Sequence, residues 1–309
     1  MFFRSMKTVA PCAALAGLVA LTTNAAIANP LECQALSTQY AQSKPKLIEL
    51  ELNALIFSAS DKGCTALVRT LLDDGGSALM RRRTGDTALH HAASAGEVDV
   101  ARLLVGHGAG INERDLHGAT PLFLAAESNK PEMVKALLDL RADVAVAGRS
   151  EVTPLAAAAF NGNEKIVALL LARGANPNIA DSTGKPAILY AATRGFKGVV
   201  ERLLKSGVDS NGVYANKLTA LMWAAGYADD VPEVDAVATV TLLLEHGARL
   251  NERDDRGRTA LMTAAELGHD AVVTLLVKRG ADRAAAGTDG KTALDLASSE
   301  TIKALLAAP

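Results

Sequence analysis

The sequence predicts an all-α solenoid, a pair of short helices repeated along most of the chain. Three observations predict it. Thr87-Ala88-Leu89, Thr120-Pro121-Leu122, Thr153-Pro154-Leu155, Pro186-Ala187-Ile188 and Thr219-Ala220-Leu221 follow one another every 33 residues. Thr259-Ala260-Leu261 comes after 40, and Thr292-Ala293-Leu294 after a further 33. A fixed period of this size marks one supersecondary unit stacked on copies of itself. Alanine holds one column in all seven units (Ala92, Ala125, Ala158, Ala191, Ala224, Ala264, Ala297), as a short helix pressed against its neighbour requires. Leucine holds a later column (Leu104, Leu137, Leu170, Leu203, Leu243, Leu276), which places a second helix against a continuous aliphatic core.

Each element carries its own local signal. The column of Thr87, Thr120 and Thr153 suits an N-cap, and Pro121 and Pro154 fall in the first turn that follows it. Gly96, Gly162, Gly195 and Gly268, with Asn129 in the same column, end the first helix. Gly108, Gly174, Gly207, Gly247 and Gly280 end the second. A polar hairpin then leads to the next unit, as in 112–118 and 251–257.

The stretch Thr87-Ala88-Leu89-His90-His91-Ala92-Ala93, closing on Gly108-Ala109-Gly110-Ile111-Asn112, resembles an ankyrin repeat. So does Thr259-Ala260-Leu261-Met262-Thr263-Ala264-Ala265, closing on Gly280-Ala281-Asp282. The resemblance covers about residues 53–309 and implies an ankyrin-repeat solenoid of about eight helix pairs with short β-like hairpins. The units start near 53, 87, 120, 153, 186, 219, 259 and 292, the first of them degenerate. It also implies that His90 braces a hairpin. Glu151 and Lys217 replace the hairpin glycine, so those two tips are expected to differ in shape, and Arg141 replaces a helix-ending glycine. Residues 29–52 do not fit the repeat and read as a helical N-terminal cap, with Leu47, Leu50 and Leu55 along one helix.

Residues 1–28 read as a secretory signal peptide. Arg4 and Lys7 supply the positive start, Val9 to Leu21 the apolar run, and Ala26-Ile27-Ala28 the cleavage site. The run is short for a membrane span, so no membrane insertion is expected after cleavage. The location expected is the periplasm, with the extracellular space as the alternative. The 309 residues hold 32 basic and 34 acidic side chains, a net charge of −2, which gives no basic surplus for nucleic acid. Apolar residues at 49% exclude a disordered chain, and aromatics at 4% require an aliphatic core.

Motifs for catalysis or cofactors are not found. No H-E-x-x-H, G-x-S-x-G or calcium loop occurs, and Gly290-Lys291-Thr292 lacks the first glycine of a phosphate loop, Ala285 standing there. The histidines lack metal spacing. Asp254 and Asp255 read as a solvated, self-neutralising tip with Arg253 and Arg256. No enzyme activity, cofactor or metal is expected. The partner is expected to be a protein. The resemblance implies a concave surface for it, built from hairpin tips and the exposed side of the first helices. Carried over, the tips contribute Arg82, Arg83, Leu116, His117, Arg149, Asp255 and Arg256. The first helices contribute Phe160, Asn161, Arg194 and Tyr227, whereas Trp223 reads as core.

Cys33 and Cys64 are the cysteines left after cleavage, and in an oxidising compartment they are expected to pair. The seven extra residues of the 40-residue unit are expected around Gly226 to Ala236, as an acidic loop that projects from the solenoid. It reads either as a partner contact or as a neutral insertion. Unbound, the chain is expected to be a monomer. The role expected is scaffold or support of a periplasmic enzyme; the alternatives are an inhibitor or immunity protein and a secreted effector.

Overall fold

The structure, a computed structural model, describes residues 30–44 and 48–307, so the expected signal peptide at 1–28 and Leu47 lie outside the described residues. Helix α1 (Pro30–Ser43) precedes the helix pairs. These begin with α2 (Glu49–Asp61) and α3 (Thr65–Asp73), α4 (Ala88–Ala95) and α5 (Val98–Gly106), α6 (Pro121–Glu127) and α7 (Pro131–Asp139), and α8 (Pro154–Phe160) and α9 (Glu164–Ala172). They continue with α10 (Ala187–Thr193) and α11 (Lys197–Lys205), α12 (Ala220–Ala225) and α13 (Glu233–Glu245), α14 (Ala260–Leu267) and α15 (Asp270–Lys278), and α16 (Ala293–Leu296) and α17 (Glu300–Ala307). First helices pack on the first helices of adjacent units, and second helices on second. The hairpins are minimal: isolated antiparallel bridges join Arg81 to Thr87, Ala180 to Pro186 and Ala286 to Thr292.

Helices this short are not stable alone, so stacking must hold them. Ala92, Ala125, Ala158, Ala191, Ala224 and Ala264 are fully buried, and so are the six leucines of the second-helix column. Threonine hydroxyls cap several first helices. Thr120 Oγ1 accepts the Phe123 N–H at 3.2 Å, and Thr153 Oγ1 that of Ala156 at 3.1 Å. Two demands meet at Gly195. Its φ is +68°, and a Cβ there would lie 2.7 Å from Val231 Cγ1 of the next unit. The hairpins with Glu151 and Lys217 do differ: each tip is a single 3-10 turn (Arg149–Glu151, Ala215–Lys217) with two consecutive residues at positive φ.

The N-terminal end departs from expectation in its boundary. Helix α2 starts at Glu49, so the expected division between 52 and 53 falls inside it. Leu50 is 67% exposed and is not a core position, because Ile56 and Phe57 form the buried side of that helix. Helix α1 lies against α2 and α3. A disulfide joins Cys33 to Cys64, with the Cα atoms 5.3 Å apart. The buried Tyr40 hydroxyl donates to Asp74, Lys44 pairs with Asp74 at 2.6 Å, and Lys62 pairs with Glu32.

The 40-residue unit corrects a second expectation. Its surplus does not sit in a projecting loop. Helix α13 has 13 residues, where α11 and α15 have 9, so part of the insertion is an added helical turn. Glu233 and Asp235 occupy that first turn, exposed to solvent and facing the positive end of the helix dipole, so the extension buries no charge. The remainder, 226–232, folds back on the preceding unit. Ala228 N–H donates to the Thr193 carbonyl at 3.1 Å, and Val231 is buried against Gly195. Val231→Ser is therefore expected to destabilise the fold by about 1–2 kcal/mol, read as a shift of the urea midpoint. A projecting loop would show no shift.

Candidate functional site

Hairpin-tip side chains meet those of the first helices, as Arg149 meets Glu127 and Lys185 meets Trp223. At the N-terminal end the Arg82 guanidinium lies 5.2 Å from the Phe57 ring centroid and 4.0 Å from Asp86. Beside it, His91 Nδ1 is 2.8 Å from Asp61 and Nε2 is 2.5 Å from Asp86. An imidazole that donates to two carboxylates must carry both protons. Burial opposes that charge, but the hydrogen bonds to Asp61 and Asp86 outweigh it and raise the pKa of His91. His90 is the opposite case. Its Nδ1 accepts from the Thr87 N–H at 3.1 Å, and its Nε2 lies 3.1 Å from the Ala119 carbonyl in the next hairpin. That is the expected brace, with the ring neutral, and burial lowers its pKa below the ordinary 6.5.

These shifts have signs that can be tested. The neutral His90 contributes stability that is complete above about pH 6.5 and is lost as pH falls through its lowered folded pKa. The buried His269 acts in the same sense. His91 acts oppositely: its contribution is complete below about pH 6.5 and is lost as pH rises through its raised folded pKa. Between about pH 7 and 5.5, His90→Gln is expected to reduce the acid-side loss of stability, measured as urea midpoints at each pH.

Arg83, Leu116 and His117 are exposed at the tips, Leu116 at 75%. Only the backbone of Leu116 is engaged, its N–H donating to the Thr84 carbonyl at 2.9 Å. Arg149 lies 3.8 Å from Glu127, and Asp255 lies 3.7 Å from Lys217. Arg256 is held by Asp254 at 2.8 Å. Asp254 corrects the reading of a solvated tip. It is buried, and its Oδ1 accepts the N–H groups of Arg256 and Arg258 at 2.9 and 2.8 Å. The turn needs an internal acceptor for those donors, and a short carboxylate supplies it. Asp181 does the same for Thr183 and Lys185, and also accepts the Tyr190 hydroxyl.

Two residues expected to face a partner are engaged inside the fold. The Asn161 amide donates to the carbonyls of Ala126 and Glu127 at 3.2 and 2.7 Å, closing the end of α6. Tyr227 stacks on His269 with ring centroids 3.7 Å apart. The centre of the face is aromatic and cationic. Phe160, 44% exposed, meets Tyr190 edge to face at 6.0 Å, and the Arg194 guanidinium lies 5.4 Å from its centroid. The Lys185 ammonium lies 5.3 Å from the Trp223 centroid. Trp223 is half-buried: it packs against the core, as expected, and its ring also lies beneath the Lys185 ammonium. It stands 33 residues after Tyr190, in the same column of the repeat. Sequence reasoning missed Tyr190, Lys185 and Asp181, although that column spacing was there to find Tyr190. Burial first, and then Asp181, push the Tyr190 hydroxyl far above its ordinary pKa, so it stays a donor.

Elsewhere, a groove runs between Glu97, Asp99, Lys130 and Glu132 at the starts of α5 and α7, and its lining holds no aromatic side chain. Burial lifts Glu97 above the usual carboxylate range. Among the described residues, no group of three or more His, Cys, Asp or Glu is placed to hold a metal ion, and no helix is long and apolar enough to cross a membrane.

Comparison with known proteins agrees with the architecture. The family described as Ankyrin repeats (3 copies) matches residues 25–115, 55–147, 108–181, 155–234 and 233–308. Ankyrin repeat domain-containing protein 63 of Homo sapiens is 49% identical over 74 residues, 24% of this chain and 19% of that protein. Its Mus musculus counterpart is 46% identical over the same length, 18% of that protein. The NAD-capped RNA hydrolase NUDT12 of Homo sapiens is 42% identical over 62 residues, 20% of this chain and 13% of that enzyme. The chain thus spans less than a fifth of the curated relatives it matches, and these likenesses extend to repeats alone, with no activity carried across. Repeats of this kind form a protein–protein interaction module. With its stacked helix pairs, capped hairpins and family match over most of its length, the chain belongs to the ankyrin-repeat family.

Proposed function

We propose that this protein is an exported, non-catalytic binding protein of the periplasm, whose first-helix face holds a segment of a protein partner and so supports a periplasmic enzyme. The observation that carries the reading is the row of Phe160, Tyr190 and Trp223 with Arg194 and Lys185. Aromatic and arginine side chains dominate binding energy at interfaces. Here they stand on a stacked scaffold, so little conformational entropy is lost on association. Arg4, Lys7 and Ala26-Ile27-Ala28 support export, and the Cys33–Cys64 disulfide supports an oxidising compartment.

A photo-crosslinking residue placed at Phe160, and at Lys135 on α7 as a control, tests the reading in cells that express the full chain. Periplasmic adducts are expected from position 160 and not from 135, with a mature N-terminus at or near Asn29 by mass. Equal yields from the two positions, or a full-length cytoplasmic chain, would overturn it.

A further inference from the structure

Arg194 follows α10 directly, on the same face as Phe160. Its guanidinium lies 5.4 Å from the Phe160 centroid and 5.9 Å from that of Phe196, within cation–π range of both rings. A carboxylate already sits on it. Asp230 Oδ1 and Oδ2 lie 3.1 and 2.9 Å from Nη1. Asp230 belongs to 226–232, the segment that interrupts the repeat period.

Two features make Asp230 a replaceable occupant. Both of its oxygens meet the same nitrogen, so the two-nitrogen fork that best seats a carboxylate is not formed. The side chains of the pair are 30% and 65% exposed, and an ion pair so open to water is weak. The neighbours extend the pattern. Next to Arg194, the exposed Phe160 ring meets the half-buried ring of Tyr190. Lys185, fixed over Trp223, has no carboxylate within ion-pair distance among the described residues. Cation, ring and cation therefore alternate along this face, on a chain whose net charge is negative.

We propose that this row binds an extended acidic segment of a protein partner. One partner carboxylate displaces Asp230 and takes the Arg194 fork, another meets Lys185, and apolar side chains between them lie on Phe160 and Tyr190. The inference rests on the first-helix face being the binding face. Asp230 then acts as an internal competitor that sets how acidic a segment must be to bind.

The probe is a fluorescein-labelled, end-blocked decapeptide of alternating Glu and Val, with the Gln–Val peptide as isostere. Binding to the mature full chain is read by fluorescence anisotropy. The Glu–Val peptide is expected to bind about tenfold or more tightly than the Gln–Val peptide, as a charged contact in place of a neutral one allows. Asp230→Asn is expected to tighten it by about two- to fivefold, the worth of an exposed pair. Arg194→Ala should weaken binding and abolish the gain from Asp230→Asn in the double variant. Thermal melts confirm that each variant is folded. No binding of the Glu–Val peptide, equal binding of both peptides, or an unchanged affinity for folded Asp230→Asn overturns the inference. Should position 160 crosslink in cells while Asp230→Asn changes nothing, the acidic chemistry fails and the binding face stands. Should position 160 fail to crosslink, the reading of the face itself fails.

Discussion

Leu170→Ala is expected to lower the unfolding free energy by about 2–5 kcal/mol, a large share of what a domain has. Leu170 is fully buried on α9, and α9 packs against both α7 and α11. Truncation therefore leaves a cavity shared by two unit interfaces. The short helices cannot close over it, because each is held by its neighbours more than by its own hydrogen bonds. Leu294→Ala gives the contrast. That leucine occupies the column of Leu89 and Leu122 but is 39% exposed, because no further unit covers it among the described residues. Its truncation should cost about 1 kcal/mol. Urea unfolding of both variants decides: equal losses would mean that the units do not share a continuous core.

Cys33→Ser is expected to cost about 3–4 kcal/mol at the N-terminal end, on the chain-entropy account of a crosslink spanning 31 positions. Tyr40 is the one buried residue of α1, and the ion pairs of Lys44 with Asp74 and of Lys62 with Glu32 are exposed and weak. Hydrogen exchange should therefore rise across α1 and the first turns of α2 while amides of α8 to α11 keep their protection. The same pattern should appear when the wild type is reduced. Unchanged exchange in α1 on loss of the bond would show that side-chain packing alone holds the cap.

Much of the architecture was legible because it is written locally. The alanine and leucine columns, the threonine caps and the helix-ending glycines each act within one unit or between identical units, so their spacing reveals their role. His90 was legible for the same reason: its brace joins fixed positions of consecutive hairpins. The candidate site was legible only in part. Phe160 and Arg194 were found from their columns. Tyr190 and Lys185 were not, because their importance comes from a phenol fixed by Asp181 and an ammonium fixed over Trp223. Asn161 looked available and is committed to the preceding unit.

By itself the sequence determined the repeat, its period, the helix ends and the aliphatic core, since these follow from side-chain size, backbone preference and a spacing that recurs. Only the tertiary structure decided where the seven surplus residues went. Acidic side chains are compatible with a loop and equally with a helix N-terminus, and the outcome turned on Val231 finding a pocket at Gly195 and Asp230 finding Arg194, 36 residues away. Contacts between units at that separation leave no periodic trace, because they occur once.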